Sequence, residues 1–458
     1  MKRTASPDKF VFAAVALAFG IALLAVAPAR PAPNGGPEDA ARPCRLKIVL
    51  PASPAAFPEP YHKGKAFSGF EIRGTKGWAW TPAQYLAEIP YLPKFKMNFL
   101  MNCYLSMFSD PEKLINRWWE PIPAAKKKAY ERVVRACRER GITFCFAIHP
   151  QLFSAKPLRY DNEEDFDKLW QHFAWMQGLG VGWFSLSFDD ITVEGQDKAW
   201  LGQAQARLVN KLLAKLRKKD SKARMILCPV YYWGDGTGGD AAAYLGALAR
   251  VLDPEALVFW TGDGVVTREM TVRAAQSFRS AVRHGIVIWD NYPVNDRSGA
   301  LHLGPLAGRE AKLAEVAEGY MSNPHAPQNE INRIPLATCA DYAYNPRAYD
   351  PARSIGQVIA HLADKPGRRA ALKDLVELSP GDLACGVPRT GYDSILEEFN
   401  RILSGTGGRE EAQAFIARVE DVARRLEREF PDKYLDARKT LRNDIARLRE
   451  RLARLASK

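Results

Sequence analysis

Two carboxylates, Asp189 and Asp190, stand side by side at the end of the run VGWFSLSFDDIT, just before a helix-patterned stretch. Unpaired carboxylates are costly to bury, so packing is a poor explanation for two of them leaving an apolar run. Like charges this close do not both ionise cheaply, and the pair divides near neutral pH into a carboxylate and a protonated acid. Most glycosidic chemistry draws its two acids from separate places, and their separation sets the stereochemistry. Adjacent acids suit a different scheme, in which the amide oxygen of a 2-acetamido sugar attacks its own acetal carbon. One acid then steers the amide N–H while the other protonates the leaving oxygen. The competing reading makes either Asp the N-cap of the following helix, where it would satisfy free backbone N–H groups.

A pair of this kind needs a rigid frame. From about Phe67 short apolar runs alternate with longer amphipathic stretches: 67–74, 97–104, 142–150, 182–190, 224–232, 256–264, 285–293 and 318–324. Helix-patterned segments such as 129–141 and 205–219 separate most of them. Strands interleaved with helices in this way predict a parallel (β/α)8 barrel. Polar and aromatic clusters follow the strands: Arg73, Asp189 and Asp190, Tyr231 and Tyr232, Thr261, Trp289 to Asp296, and Asn323. Barrel enzymes build their sites at that rim. An open doubly wound sheet would carry a Gly-rich phosphate loop after its first strand, and this chain carries none there.

After about Tyr349 the chain turns rich in Ala, Arg, Leu and Glu. Leu441, Ile445, Leu448, Leu452 and Leu455 form an apolar stripe, and Phe415, Val419, Val422 and Leu426 mark a preceding helix, with Pro431 at the break. A helical hairpin packed on itself or on the barrel is expected, with a short dimerising coiled coil as the alternative. The expected division is a leader over 1–43, a lead-in over 44–66, the barrel over 67–350 and a helical domain over 351–458.

The chain has 458 residues and a net charge of +13, with 47% hydrophobic residues, which excludes wholesale disorder. No RNA-module or zinc-finger spacing accompanies the charge, so nucleic acid is not the expected partner; a solvated basic surface or an acidic polymer fits better. Lys2, Arg3 and Lys9 precede an uncharged stretch from Phe10 to Ala27, followed by Pro/Ala/Gly-rich sequence. That layout predicts export with cleavage near Ala25 or Ala27, an uncleaved membrane tether being the alternative. The seven cysteines are scattered. Cys103, Cys145, Cys228 and Cys339 sit in apolar segments as buried thiols, and Cys44 with Cys385 is the one pairing considered. No metal-ligand spacing appears, and neither metal nor other cofactor is expected.

The motifs FDDI, FWTGDGVVT (259–267), IWDNYPVND (288–296), LGPL (303–306), SNP (322–324) and ADYAYNP (340–346) resemble, in order and spacing, the family 84 glycoside hydrolases. These are β-N-acetylglucosaminidases that include O-GlcNAcases and hyaluronidase-like enzymes. The resemblance covers about residues 68–350 and implies a (β/α)8 barrel, no metal, and retaining hydrolysis through an oxazoline formed by the substrate's own acetamido group. Asp189 then matches the residue that orients the acetamido group, and Asp190 the general acid/base. Tyr232 matches the tyrosine on the acetamido oxygen, and Trp289 the wall beside it with Thr261 close by. Asn291, Asp296 and Asn323 match ligands of the sugar, and Gly74 a glycine that lends its carbonyl. The expected substrate is a glycan or glycoconjugate carrying a terminal N-acetylhexosamine.

Plainer roles compete at several of these positions. Trp289 and Trp260 would serve as rim packing, Asn291 and Asn323 as turn residues, and Asp296 as a helix cap. His149, before Pro150, reads as a structural histidine. The first two units depart from the family. Its first strand usually ends Glu-Gly-Phe-Tyr-Gly, where this chain has Arg73 to Trp80 as RGTKGWAW. Its second unit carries Ala-Pro-Lys-Asp-Asp, whose lysine touches sugar hydroxyls, where this chain has Leu105 within NCYLSMF. Arg73 or Lys76 is the candidate replacement cation. The departure keeps open a non-catalytic glycan-binding protein on a degenerate barrel, or a related hexosaminidase of altered specificity.

Overall fold

The computed structural model describes Cys44 and residues 46–59, 69–108, 115–294, 299–324, 329–387, 391–405 and 408–456. Eight parallel strands among these residues close into a barrel in chain order. They are β1 (Ile72–Thr75), β2 (Phe99–Met101), β3 (Thr143–Ile148), β4 (Trp183–Ser187), β5 (Arg224–Cys228), β6 (Leu257–Trp260), β7 (Ile286–Asp290) and β8 (Gly319–Ser322). β8 returns to pair with β1, Ile72 lying opposite Gly319 and Thr75 opposite Ser322. The predicted (β/α)8 barrel is the architecture observed.

The helices of the barrel are α1 (Pro82–Glu88), α2 (Tyr104–Phe108), α3 (Ala124–Glu139), α4 (Glu163–Gly178), α5 (Lys198–Arg217), α6 (Gly239–Ala249), α7 (Val272–Val282) and α8 (Asn329–Tyr344), with α2 and α3 both between β2 and β3 and, among the described residues, only a short 3-10 turn, Ala311–Glu315, between β7 and β8. Their starts are written in the sequence. Thr81 and Gln84 form a capping box on α1, while Asn162, Asp197 and Thr271 cap α4, α5 and α7 through their side chains. Since Asp197 caps the helix that follows β4, neither Asp189 nor Asp190 is its cap.

Strand parity divides the core in two. Phe99, Met101, Cys145, Ala147, Ile226, Cys228, Phe259, Val287, Trp289 and Met321 form one buried cluster inside the barrel. The intervening strand residues, such as Leu100, Phe146, Leu227, Val258 and Ile288, face outward into a second cluster shared with the helices. Side chains alternate across a strand, and strands buried on both faces read as nearly continuous apolar runs. The polar residues that break those runs near strand ends therefore collect at one mouth of the barrel.

Beyond the barrel come α9 (Pro351–Leu362), α10 (Pro366–Leu378), α11 (Gly381–Ala384), α12 (Ser394–Ser404), α13 (Gly408–Glu429) and α14 (Leu435–Ala456). Phe415, Val419, Val422 and Leu426 of α13 are buried with Leu441, Leu448 and Leu452 of α14, so the two helices pack as a hairpin. Leu455, at the end of that stripe, is exposed. A disulfide joins Cys44 to Cys385, tying the segment before the barrel to the end of α11. No helix among the described residues is long and apolar enough to cross a membrane. The apolar stretch 10–27 lies outside them.

Candidate active site

Along β4, Ser185, Ser187 and Asp189 share the inner face, while Phe188 turns into the outer core. Asp189 thus arrives buried at the barrel mouth by strand parity alone. Asp190 would point outward if the strand continued, but its backbone turns left-handed with φ 55°. That conformation is uncommon outside glycine and is tolerated best by Asn and Asp. It keeps the neighbouring side chain at the same mouth, exposed where Asp189 is buried.

Each acid is held by a different tyrosine. The Tyr104 hydroxyl donates to Asp189 Oδ2 at 2.7 Å, and the Tyr232 hydroxyl donates to Asp190 Oδ1 at 2.8 Å. Burial, reinforced by the two aspartates, pushes both phenols well above their ordinary range, so both remain donors at any working pH. His149 supports the pair from below. Its Nδ1 accepts the backbone N–H groups of Gln151 and Leu152, so Nε2 carries the proton and donates to the Asp189 carbonyl at 2.7 Å. Burial lowers the His149 pKa, with Asp189 opposing, which fits a neutral ring. The Asp189 Oδ1 atom lies 3.6 Å from that ring nitrogen and has no hydrogen-bond partner among the described residues.

Lys76 follows β1 immediately. Its ammonium is buried, 3.9 Å from the centroid of the Trp289 ring, 4.6 Å from Tyr104 and 4.8 Å from Trp78. Burial pulls its pKa down, while Cys103, Asp189, Cys228 and Asp190 oppose that shift. Arg73 faces the other way, donating to the carbonyls of Lys96 and Phe70 beside Tyr344. Of the two candidate cations, Lys76 is the one at the mouth. Leu105 is buried in α2.

β7 shows the same parity. Trp289 points inward with an unpartnered indole N–H, its ring edge-on to Phe259 at 4.9 Å. Asp290 points outward into a buried bidentate pair with Arg309, with Tyr320 donating to it at 2.7 Å. Asn323, after β8, donates to Asn291 Oδ1 at 2.8 Å and keeps its own Oδ1 buried and unpartnered. Asn291 in turn donates to the Val265 carbonyl. Thr261 donates its hydroxyl to Gly264 and its N–H to the Tyr232 carbonyl, locking the β6 turn against that tyrosine's backbone. Gly74 has a packing reason to be glycine, since a Cβ there would sit 2.5 Å from the Phe99 carbonyl oxygen. Asp296 lies outside the described residues.

A family model described as beta-N-acetylglucosaminidase matches residues 72–377, the barrel and the first helices after it. The chain belongs to the β-N-acetylglucosaminidase family. The protein O-GlcNAcases of Rattus norvegicus and Mus musculus are each 26% identical over 279 residues, covering 59% of this chain. The match spans only 29% of those relatives. Among solved structures, a mutant O-GlcNAc hydrolase of Thermobaculum terrenum superposes with a TM-score of 0.67 at 21% identity, covering 84% of this chain and 82% of that one. CpGH84B gives a TM-score of 0.66 at 22% identity, covering 83% and 66%. These two likenesses establish the shared fold.

Within this β-N-acetylglucosaminidase barrel, Asp189, Asp190, Tyr232, Thr261, Trp289, Asn291 and Asn323 all lie at strand ends on one rim. Trp260 does not join them: it faces outward, stacks on Phe278 and donates to the Gly234 carbonyl. Two residues at the aspartates were not assigned there from sequence. Tyr104 sits in the family-divergent second unit, and no spacing announces it. His149 carried a usable signal, because it continues the inward face of Cys145 and Ala147; it is structural, as expected, but what it holds is Asp189.

Proposed function

We propose that the chain is a retaining exo-β-N-acetylglucosaminidase that works by substrate-assisted catalysis. The observation carrying this is the adjacent acid pair leaving β4 with one member buried and the other exposed, each gripped by its own tyrosine. Asp189 Oδ1, without a hydrogen-bond partner among the described residues, accepts the acetamido N–H and turns the amide oxygen toward the anomeric carbon. That oxygen forms a bond to C1 as the glycosidic C1–O bond breaks, and the proton of Asp190 goes to the leaving oxygen. The resulting protonated oxazoline, its N–H still held by Asp189, is opened by a water that gives its proton to Asp190 and attacks C1 from the face the leaving group vacated, as the bond from C1 to the acetamido oxygen breaks and the amide is restored. Two displacements at one centre give retention. Tyr232 and Trp289 bound the acetamido recess, while Asn291, Asn323 and the Gly74 carbonyl address the rest of the ring. Among the described residues no cluster of three His, Cys, Asp or Glu could hold a metal, and no step above uses one.

The substrate class is a glycan or glycoconjugate ending in β-linked N-acetylglucosamine. Export accompanies this reading, supported by the signal-like N-terminus and by the Cys44–Cys385 disulfide, a bond of oxidising compartments. Sequencing the N-terminus of the mature protein tests for cleavage near Ala25 or Ala27. For the chemistry, Asp189→Asn and Asp190→Asn should each reduce turnover of an aryl N-acetyl-β-glucosaminide by about 10²-fold or more. The Asp190→Asn deficit should grow with poorer leaving groups, because only that residue supplies their proton. Full activity in both variants would remove the assignment.

A further inference from the structure

Among the described residues, Lys76 Nζ, Asp189 Oδ1, Trp289 Nε1 and Asn323 Oδ1 are buried at the barrel mouth without a hydrogen-bond partner. They come from the ends of β1, β4, β7 and β8. Two are donors and two are acceptors. We propose that Lys76 is a substrate-contacting, specificity-determining residue, whose ammonium donates to hydroxyl oxygens of an uncharged terminal sugar. This deepens the glycosidase assignment and rests on it.

The turn that carries Lys76 is built to hold it in place. The Lys76 N–H donates to the Ser322 carbonyl at 3.1 Å, and its own carbonyl accepts the Tyr85 hydroxyl at 2.8 Å. That hydroxyl also accepts the Cys103 N–H at 2.6 Å, so one tyrosine joins the β1 and β2 units, the two that depart from the family pattern. Gly77, at φ +69°, then bends the chain away; a Cβ there would meet the Trp80 ring at 2.0 Å. Strand parity sends Lys76 inward along the line of Ile72 and Gly74.

Packing alone does not account for the ammonium. The rings of Trp78, Tyr104 and Trp289 offset part of its desolvation, but rings accept no conventional hydrogen bond, and three N–H donors are left to serve. An apolar side chain of similar length would fill the same space without that cost. The charge count favours a neutral ligand. Under the proposed mechanism Asp190 brings the proton it transfers, so the Asp189 carboxylate is the charge that balances the ammonium. A sugar hydroxyl both accepts and donates, and so can serve Lys76 Nζ as well as Asn323 Oδ1. An anionic substituent would leave the two acceptors without a donor.

The test compares wild type with Lys76→Met on an aryl N-acetyl-β-glucosaminide and on its 3-, 4- and 6-deoxy analogues. Loss of hydrogen bonds to a charged donor predicts a fall in kcat/KM of about 10- to 100-fold on the parent sugar. In wild type one deoxy analogue should show a comparable deficit, and Lys76→Met should no longer distinguish that analogue from the parent. If the variant matches wild type, or loses the same factor on every member of the panel, the contact does not exist. Lys76→Arg, which keeps charge and donors, should retain more of that discrimination than Lys76→Met; equal loss in both overturns the inference. Should wild type cleave none of these sugars, the glycosidase assignment fails separately. Lys76 is then tested by titrating N-acetylglucosamine and the deoxy analogues against the fluorescence of Trp78 and Trp289, with weaker, hydroxyl-blind binding expected in Lys76→Met.

Discussion

Replacing Tyr104 with phenylalanine removes one oxygen from the site and leaves the ring. In the native protein that oxygen donates to Asp189 Oδ2 at 2.7 Å, with both residues buried. Its phenol stays protonated because burial and the aspartates raise its pKa far above neutrality, so the bond persists across the working pH range. A hydrogen bond to a charged acceptor contributes about 1.5–3 kcal/mol. If that interaction serves to aim Asp189 at the amide, the whole of it is felt in the transition state. The corresponding loss in kcat/KM is about 10- to 100-fold. The ring's edge contacts with Trp78 and His149, at centroid distances of 6.4 and 5.0 Å, survive the change, so the melting temperature should move little. The decisive assay is a double-mutant cycle with Asp189→Asn on an aryl N-acetyl-β-glucosaminide. Contacting residues couple, so Tyr104→Phe should cost almost nothing once the carboxylate is gone. Additive losses, or a single variant within twofold of wild type, would refute the idea that Tyr104 acts through Asp189.

Three further outcomes concern stability. Arg309→Met strands the Asp290 carboxylate in a site where both side chains are at most 2% exposed, and should destabilise the fold by about 3–5 kcal/mol in denaturant titrations. Cys44→Ser with Cys385→Ser removes the disulfide and should cost about 2–5 kcal/mol, while a thiol reagent should count five sulfhydryls in the unreduced, unfolded wild type. Asp444, buried beside Asp393 and Arg447, has its pKa raised from 3.8 to about 7, mainly by burial. The folded state therefore binds the proton more tightly than the unfolded chain. Stability from this group is full below about pH 4 and is lost as pH rises toward 7. Asp444→Asn should flatten that slope in urea midpoints compared at pH 5 and pH 8; an unchanged slope would show that the group does not carry it.

The strands were legible because a barrel strand is buried on both faces and reads as an apolar run ending in polar residues; each observed strand overlaps one of the eight runs, β1 ending one residue beyond its own. The acid pair was legible for the same reason, as charge where an apolar run stops. Parity could have taken the sequence further. Ile72, Gly74 and Lys76 share one face of the first strand and Arg73 the other, which decides between the two cations without coordinates. His149 likewise continues the face of Cys145 and Ala147. Tyr104 was not legible, because the chain leaves β2 in a short helix whose direction depends on contacts made elsewhere. Asn102 fixes the strand's end by pairing with the backbone of Ala147, and Tyr85 holds Cys103. Neither partner is near in sequence, so the aim of the Tyr104 side chain is a tertiary property.

Adjacency would ordinarily disqualify two acids from separate tasks, since neighbours on a strand face opposite sides. The left-handed turn at Asp190 removes that obstacle. It ends the extended geometry after Asp189, leaving one carboxylate in the lumen under Tyr104 and His149 and the other at the open rim under Tyr232. Solvent access then separates the two tasks. A group that must protonate a leaving oxygen and later take a proton from water has to meet both, and only the exposed acid does. A group that must hold an amide N–H in a fixed direction gains from burial, because nothing in water competes for its free oxygen. Exchanging the roles would require a water path to the buried residue and a rigid mount for the exposed one, and the barrel supplies the reverse of each. Under the proposed mechanism, the backbone at one residue therefore sets which acid aims and which transfers the proton.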